Sequence, residues 1–355
     1  MSKIRVLVVD DSAFMRKVIS DIINKDNDLE LIGTARNGKD ALKKLKVLNP
    51  DVITLDVEMP EMNGLEALEE IMSIKPIPII MLSSLTKKGA EITIQALAKG
   101  AVDFVQKPGG TISLNLFEVE KELTTKIKLA YKANIKEVSE EIIVSKPQIS
   151  PISPKLQGRK LPFPLLLIGT STGGPKALHK IFESFKQPLN AAILIVQHMP
   201  AGFTKSLAQR LNSLSIINVK EGEDGEKIQP GNAYIAPGNY QMEVKLDGYK
   251  NEPYLHIHQG PLVTGHRPSV DALFKSVAGL GICNVVSVIM TGMGHDGRDG
   301  LKDLKANGSI TIAEAEETCI VYGMPKAAIE TGCVDKIVPL YHIHDQIIKS
   351  INLIS

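Results

Sequence analysis

The chain has 355 residues, with 41 Lys and Arg against 40 Asp and Glu, for a formal net charge of +1. At roughly 150 residues per domain, this length predicts two domains, each large enough for its own core. The balanced charge leaves no electrostatic footprint for nucleic acid or an anionic membrane surface. The three cysteines, Cys283, Cys319 and Cys333, make no C-x-x-C pair. They read as small buried hydrophobes in a reducing compartment rather than as a zinc or redox site. The apolar run after Arg5 is four residues long and ends at Asp10 and Asp11, too short for a signal peptide. No apolar stretch of about 18 residues offers a membrane span. The expectation is a cytoplasmic protein with no nucleic-acid partner and no direct membrane insertion.

Taken in chain order, short β-branched runs alternate with segments of helical period, the pattern of a parallel sheet flanked by helices. Strands are predicted at Ile4–Val9, Leu29–Thr34, Val52–Leu55, Ile77–Leu82 and Val102–Gln106, with helices such as Lys39–Leu48 and Gly89–Lys99 between them. Asn63-Gly64 predicts a cap before a helix starting near Leu65. A charged helical segment runs to about Asn134, followed by SEEIIVSKPQISPISPKLQGRKLPFP, whose composition is that of a linker. The alternation resumes at Leu165, with buried strands at Ala192–Val196 and Val285–Met290. Between them, Glu221–Gly260 carries Pro230-Gly231, Pro237-Gly238 and Asp247-Gly248 and reads as hairpins.

In the first half, Asp10 and Asp11 fall at the end of one predicted strand and Asp56 at the end of another. Strand carboxyl ends in open α/β sheets share one crevice, so the three carboxylates converge. They repel one another unless a cation joins them, and an all-oxygen cluster suits Mg²⁺. Ser83 and Lys107, at the next two strand ends, add a hydroxyl and an ammonium, a set suited to a phosphoryl group on Asp56. Any one aspartate alone reads equally well as a helix cap. The joint pattern resembles the receiver domain of two-component response regulators over about residues 1–122. That resemblance implies Asp56 as phosphoacceptor, Asp10 and Asp11 as Mg²⁺ ligands beside it, Ser83 and Lys107 as phosphate sensors, and Phe104 as switch aromatic.

In the second half, LLLIGTSTGGPKAL contains Gly169-Thr170-Ser171-Thr172-Gly173, a G-x-S-x-G window. Such a strand-to-helix turn can expose a nucleophilic serine or cradle an anion, and the window alone leaves both open. The dinucleotide and P-loop patterns fail, because Ser171 stands at the middle glycine position and no Gly-Lys-Ser/Thr follows. Of the eight histidines, His198 follows a buried strand. His256 and His258 sit on a predicted hairpin strand where one faces solvent, His179 faces away from the turn, and His342 and His344 lie near the tail. His266 and His295 remain competitors in loops. Asp296, again just past a buried strand, can hold an imidazole tautomer or cap a helix. The order Ser171, His198, Asp296 differs from the serine, acid, histidine order of α/β-hydrolases.

Together IGTSTGGPKAL, QHMPAGFTKSLAQRLN, GHRPSVDALF, MTGMGHDG and VYGMPKAAIETG resemble the catalytic domain of the chemotaxis protein-glutamate methylesterase (CheB) family. The resemblance implies a serine esterase that hydrolyses glutamyl methyl esters on chemoreceptors and often deamidates receptor glutamines, with no cofactor for the esterase step. It implies Ser171, His198 and Asp296 as the triad, with Thr172 and Met293 lining the site and the Met293 N–H in the oxyanion hole. His295, directly before Asp296, departs from residue types often found there. The resemblance also implies a chemotaxis histidine kinase as phosphodonor and an unphosphorylated receiver that hinders access. The expected layout is a flavodoxin-like doubly wound receiver (1–122), a helical segment and linker (123–161), and a doubly wound α/β methylesterase domain with a hairpin-rich insertion (162–355). The alternative is a response regulator with a non-enzymatic anion- or protein-binding output domain.

Overall fold

The computed structural model describes residues 3–107, 116–133, 158–248 and 252–355, and most of the expected linker falls outside them. The chain divides into two compact units, Met1–Glu137 and Val138–Ser355.

The first unit runs β1 (Ile4–Val9), α1 (Ala13–Lys25), β2 (Leu29–Ala35), α2 (Gly38–Leu48), β3 (Val52–Asp56), α3 (Gly64–Ile74), β4 (Ile79–Ser83), α4 (Lys87–Ala98), β5 (Asp103–Gln106) and α5 (Leu116–Lys132). Its sheet is parallel throughout in the order β2-β1-β3-β4-β5. Every residue of β3 and β4 is buried, as expected for strands covered on both faces. The strand expected from Ile77 begins at Ile79, because Pro78 has no N–H to give to a ladder. The first four βα turns each end in a side-chain cap. Ser12, Asn37 and Thr86 accept backbone N–H groups of α1, α2 and α4, and Asn63 with Glu66 forms a capping box on α3. Helix α5 continues past residue 122 and buries Leu123, Ile127 and Ala130.

The second unit runs β6 (Leu165–Thr170), α6 (Gly174–Ser184), β7 (Ala192–Gln197), α7 (Phe203–Leu214), β8 (Asn218–Glu221), β9 (Asn232–Ile235), β10 (Gln241–Leu246), β11 (Pro253–His258), α8 (Val270–Gly279), β12 (Val285–Ile289), α9 (Arg298–Ala306), β13 (Ile310–Glu314), α10 (Met324–Ile329), β14 (Lys336–Val338) and α11 (Leu340–Ile354). The large sheet is parallel, in the order β14-β13-β12-β6-β7-β9-β8. Strand order reverses about β6, so the carboxyl ends of β6, β7 and β12 open onto one crevice. Of the segment expected as hairpins, β10 and β11 form one antiparallel pair, whereas β9 joins the large sheet in parallel. Pro-Gly pairs mark where the chain turns, but they do not specify which strand it pairs with next.

Candidate active site and phosphoacceptor crevice

In the first unit the expected residues meet. Lys107 Nζ lies 2.7 Å from Asp10 Oδ2 and 2.8 Å from Asp56 Oδ1. Asp10 and Asp56 are buried, Asp11 is exposed, and carboxylate oxygens of all three lie within 4.8 Å of one another. Burial pushes the Asp56 carboxyl up to about 6 against the lowering charge of Lys107, and nearby Asp10 adds to the rise. For Lys107, burial acts downward, but Asp56 and Asp10 outweigh it and raise the ammonium above its usual range. The Ser83 hydroxyl is turned to its own surroundings, donating to the Ser84 carbonyl and accepting from Thr93 Oγ1 at 2.7 Å. Phe104 is buried, with the Lys126 ammonium 5.3 Å from its ring centre.

In the second unit β6 delivers Ser171 into a tight turn. Gly173 adopts φ +81 before α6 begins, a conformation that glycine takes without strain. The turn is pinned from three sides: Ser171 N–H donates to the Thr291 carbonyl (3.0 Å), Gly174 N–H to the Ser171 carbonyl (2.8 Å), and Gln197 Nε2 to the same carbonyl (2.9 Å). A Cβ at Gly292 would come within 2.8 Å of Ser171 Cβ, so the loop after β12 approaches the serine as closely as it does only because it is glycine there. Ser171 is half-buried, and its hydroxyl makes no hydrogen bond among the described residues.

His198 stands directly after β7, its Nε2 2.8 Å from Asp296 Oδ2. A carboxylate only accepts, so the imidazole proton sits on Nε2. Nδ1 is buried and has no partner among the described residues. Asp296 follows β12 and reaches the amino terminus of α8, where it takes five donors. They are His198 Nε2, the Thr264 hydroxyl (2.6 Å), the Ser269 hydroxyl (2.8 Å), and the N–H groups of Val270 (2.7 Å) and Asp271 (3.0 Å). Burial alone would raise this carboxyl, but the bonds from His198, Thr264 and the α8 backbone hold it far below the usual range.

His266 stacks on His198 with ring centres 3.9 Å apart and planes 11° from parallel. Burial first, then the neighbouring His198, push His266 down to about 4, so it is neutral at physiological pH. His295 is exposed and its side chain makes no hydrogen bond among the described residues. Thr172 is buried, while the Met293 side chain is exposed and its N–H donates to no acceptor among the described residues.

Several supporting residues were not singled out from the sequence. Thr264 and Ser269 hold the acid, and Gln197 and Thr291 hold the Ser171 turn, while His266, expected only as a competing base, instead covers the imidazole. Glu314, at the end of β13, accepts Thr291 N–H at 2.8 Å. Burial pushes Glu314 up to about 7, against the lowering effect of the Thr291 and Thr318 bonds. Ser269 carried a readable signal as a serine preceding the helical text VDALF, and in the structure it is the N-cap of α8.

Two doubly wound units, one with an acidic crevice and a lysine, the other with serine, imidazole and carboxylate at adjacent strand ends, are those of a response regulator with an enzymatic output. The CheB methylesterase family matches residues 166–347, and the response regulator receiver domain family matches residues 6–115. The chain belongs to the CheB methylesterase family, with a receiver domain in front of the catalytic domain. A protein-glutamate methylesterase/protein-glutamine glutaminase of Halalkalibacterium halodurans is 52% identical over 351 residues, 98% of each chain. One of Bacillus subtilis is 48% identical over 352 residues, 96% of each chain. The crystal structure of the Thermotoga maritima CheB methylesterase catalytic domain is 41% identical, with a TM-score of 0.51, and covers 54% of this chain and 100% of that one. The curated relatives are named as enzymes, which favours the enzymatic output over a non-enzymatic one.

Two outcomes follow from the geometry. Asp296→Asn turns an amide N–H₂ toward donors and disturbs the imidazole tautomer, and in variant protein checked for native circular dichroism esterase turnover is expected to fall on the order of 10³–10⁴-fold in a steady-state assay. Glu314 has a folded pKa above its ordinary 4.5, so its contribution to stability is fully present below that value and is lost as pH rises through about 7. Glu314→Gln keeps an acceptor for Thr291 and removes the charge. Denaturant unfolding at about pH 8 is therefore expected to show a gain of about 1–3 kcal/mol, with a flatter decline in stability from acid to alkaline pH.

Proposed function

We propose that the chain is a phosphorylation-controlled serine esterase that hydrolyses glutamyl methyl esters on chemoreceptors and deamidates receptor glutamines. The observation that carries this reading is the His198 Nε2 contact with a five-fold bonded Asp296, which leaves Nδ1 unpartnered at the strand ends that also present Ser171. Ser171 Oγ attacks the ester carbonyl as His198 Nδ1 takes its proton. The oxyanion is met by the free Met293 N–H in a site lined by Thr172. The protonated imidazole then gives its proton to the departing methoxide, releasing methanol and leaving a glutamyl ester on Ser171. Water, deprotonated by the same nitrogen, cleaves that ester to yield glutamate and free enzyme. With a glutamine substrate the leaving group is ammonia.

In the receiver, Asp56 accepts a phosphoryl group from a chemotaxis histidine kinase. The three clustered carboxylates form an oxygen donor set suited to a hard divalent cation. Asp10, Asp11 and Asp56 would hold Mg²⁺, which supplies positive charge against the incoming phosphoryl group. Lys107 offsets the remaining charge, and the Ser83 hydroxyl leaves the Ser84 carbonyl to bond the phosphoryl oxygen. Phe104 lies on β5, the strand that leads into Lys107, and registers the change. Among the described residues no helix is long and apolar enough to cross a membrane.

Methanol release from methylated receptor tests the proposal. Ser171→Ala and His198→Ala are each expected to reduce it by at least about 10³-fold, and acetyl phosphate with Mg²⁺ is expected to raise the wild-type rate but not that of Asp56→Asn. Full activity in either triad variant would overturn the assignment.

A further inference from the structure

The β10–β11 hairpin carries a cluster that the esterase reading does not use. His256 and His258 are two apart on β11, so both side chains stand on the same face, contrary to the expectation that one points to solvent. Both are half-buried, and their rings stack with centres 4.7 Å apart. Across the ladder, Glu243 pairs directly with His256. One ligand atom from each of Glu243, His256 and His258 lies within 4.8 Å of the others.

The donor chemistry of this cluster is polarised. His256 Nδ1 is 3.2 Å from Asp224 Oδ1, and that oxygen is fixed in turn by the Ile257 N–H at 2.9 Å. Because the carboxylate only accepts, Nδ1 carries the proton and the Nε2 lone pair of His256 is left available. This carboxylate-imidazole arrangement is the one that orients metal-bound histidines. His258 Nε2 is buried and lies 3.3 Å from Glu243 Oε1, yet it makes no hydrogen bond among the described residues. A tetrahedral ion with bonds of about 2.0–2.1 Å holds neighbouring donors about 3.3 Å apart. Two imidazoles and a carboxylate suit zinc-like divalent ions rather than Mg²⁺ or Ca²⁺.

We propose that Glu243, His256 and His258 form a binding site for a zinc-class divalent transition metal, with Asp224 as the positioning residue behind His256. The ion ties the two strands of the hairpin together and keeps a fourth position open to water. The hairpin is already anchored, with Met242, Val244 and Leu255 in the core and the 225–228 backbone bonded along β11, and the ion would add a cross-strand tie at its half-buried face. Gln241, the ladder partner of His258, donates to the carbonyls of Pro261 and His266 and accepts the Ser269 N–H. The clamp therefore steadies the strand that supports the segment bearing His266 and Ser269.

The test uses the full-length chain, stripped with chelator and then held in excess Mg²⁺ so that the carboxylates of the receiver are occupied. Zn²⁺ is titrated by calorimetry and Co²⁺ by its visible absorption. One Zn²⁺ per chain is expected, with a Co²⁺ spectrum showing nitrogen ligation. His256→Ala and His258→Ala should each weaken binding at least tenfold, and Asp224→Asn by about 10–100-fold. His198→Ala, which removes the other histidine pair, should bind as wild type. His258→Gln and Glu243→Gln, checked for native circular dichroism, carry the same comparison if the alanine variants fail to fold. Equal Zn²⁺ affinity in wild type and in the folded hairpin variants, or binding lost in His198→Ala but kept in those variants, would overturn the proposal.

Discussion

A buried carboxylate at the amino terminus of a helix is the constraint on which the catalytic unit depends. Asp296 is almost fully enclosed, and an ionised carboxylate is tolerated there only because every accepting direction is filled. Two of its donors are α8 backbone N–H groups, which any helix leaves without internal partners. Two are hydroxyls from the Thr264–Ser269 segment. The fifth is His198. The charge thus fixes the start of α8, the path of the segment before it and the plane of the imidazole at once. With Nε2 committed to Asp296 and one face of the ring covered by His266, the imidazole has little freedom left, and only Nδ1 can act on a substrate or on Ser171.

Both units use the same device for different chemistry. A parallel sheet whose strand order reverses gathers the residues that follow neighbouring strands into one crevice. In the first unit, β1, β3, β4 and β5 bring three carboxylates, a hydroxyl and an ammonium together, an arrangement suited to holding extra negative charge. In the second, β6, β7 and β12 bring a hydroxyl, an imidazole and a carboxylate together, an arrangement suited to moving a proton. The scaffold strands are nearly all apolar and interchangeable in kind. The chemistry resides at the carboxyl ends of the strands and in the loops that follow them, and the glycines at Gly173 and Gly292 set how closely those residues approach.

Much of this was legible in the sequence because it is local. Ile4–Val9 is a strand to the residue and Asp56 and Ser83 end theirs as a strand-end reading puts them, whereas Asp296 lies seven residues beyond β12. What was illegible depends on distant pairing. The hydroxyls of Thr264 and Ser269 reach Asp296 across about thirty residues, and nothing in GHRPSVDALF shows where that carboxylate lies. Glu314 reads as an acid ending a strand, and only the fold reveals that it is buried against the Thr291 N–H that helps hold the Ser171 turn. The hairpin misreadings have the same origin: Pro-Gly pairs mark turns, but the pairing of β9 with β7 is decided by the sheet. The placement of His256 and His258 was a lapse of period, since residues two apart on a strand share a face.

The central claim is that Asp296 fixes the His198 proton on Nε2 and leaves Nδ1 as the base. Nitrogen-15 chemical shifts of His198, assigned by comparison with His198→Ala in histidine-labelled protein at neutral pH, read that tautomer directly. The account predicts a protonated Nε2, with a far-downfield proton that is lost in Asp296→Asn, and an unprotonated Nδ1. A proton on Nδ1 in the wild-type enzyme would contradict it.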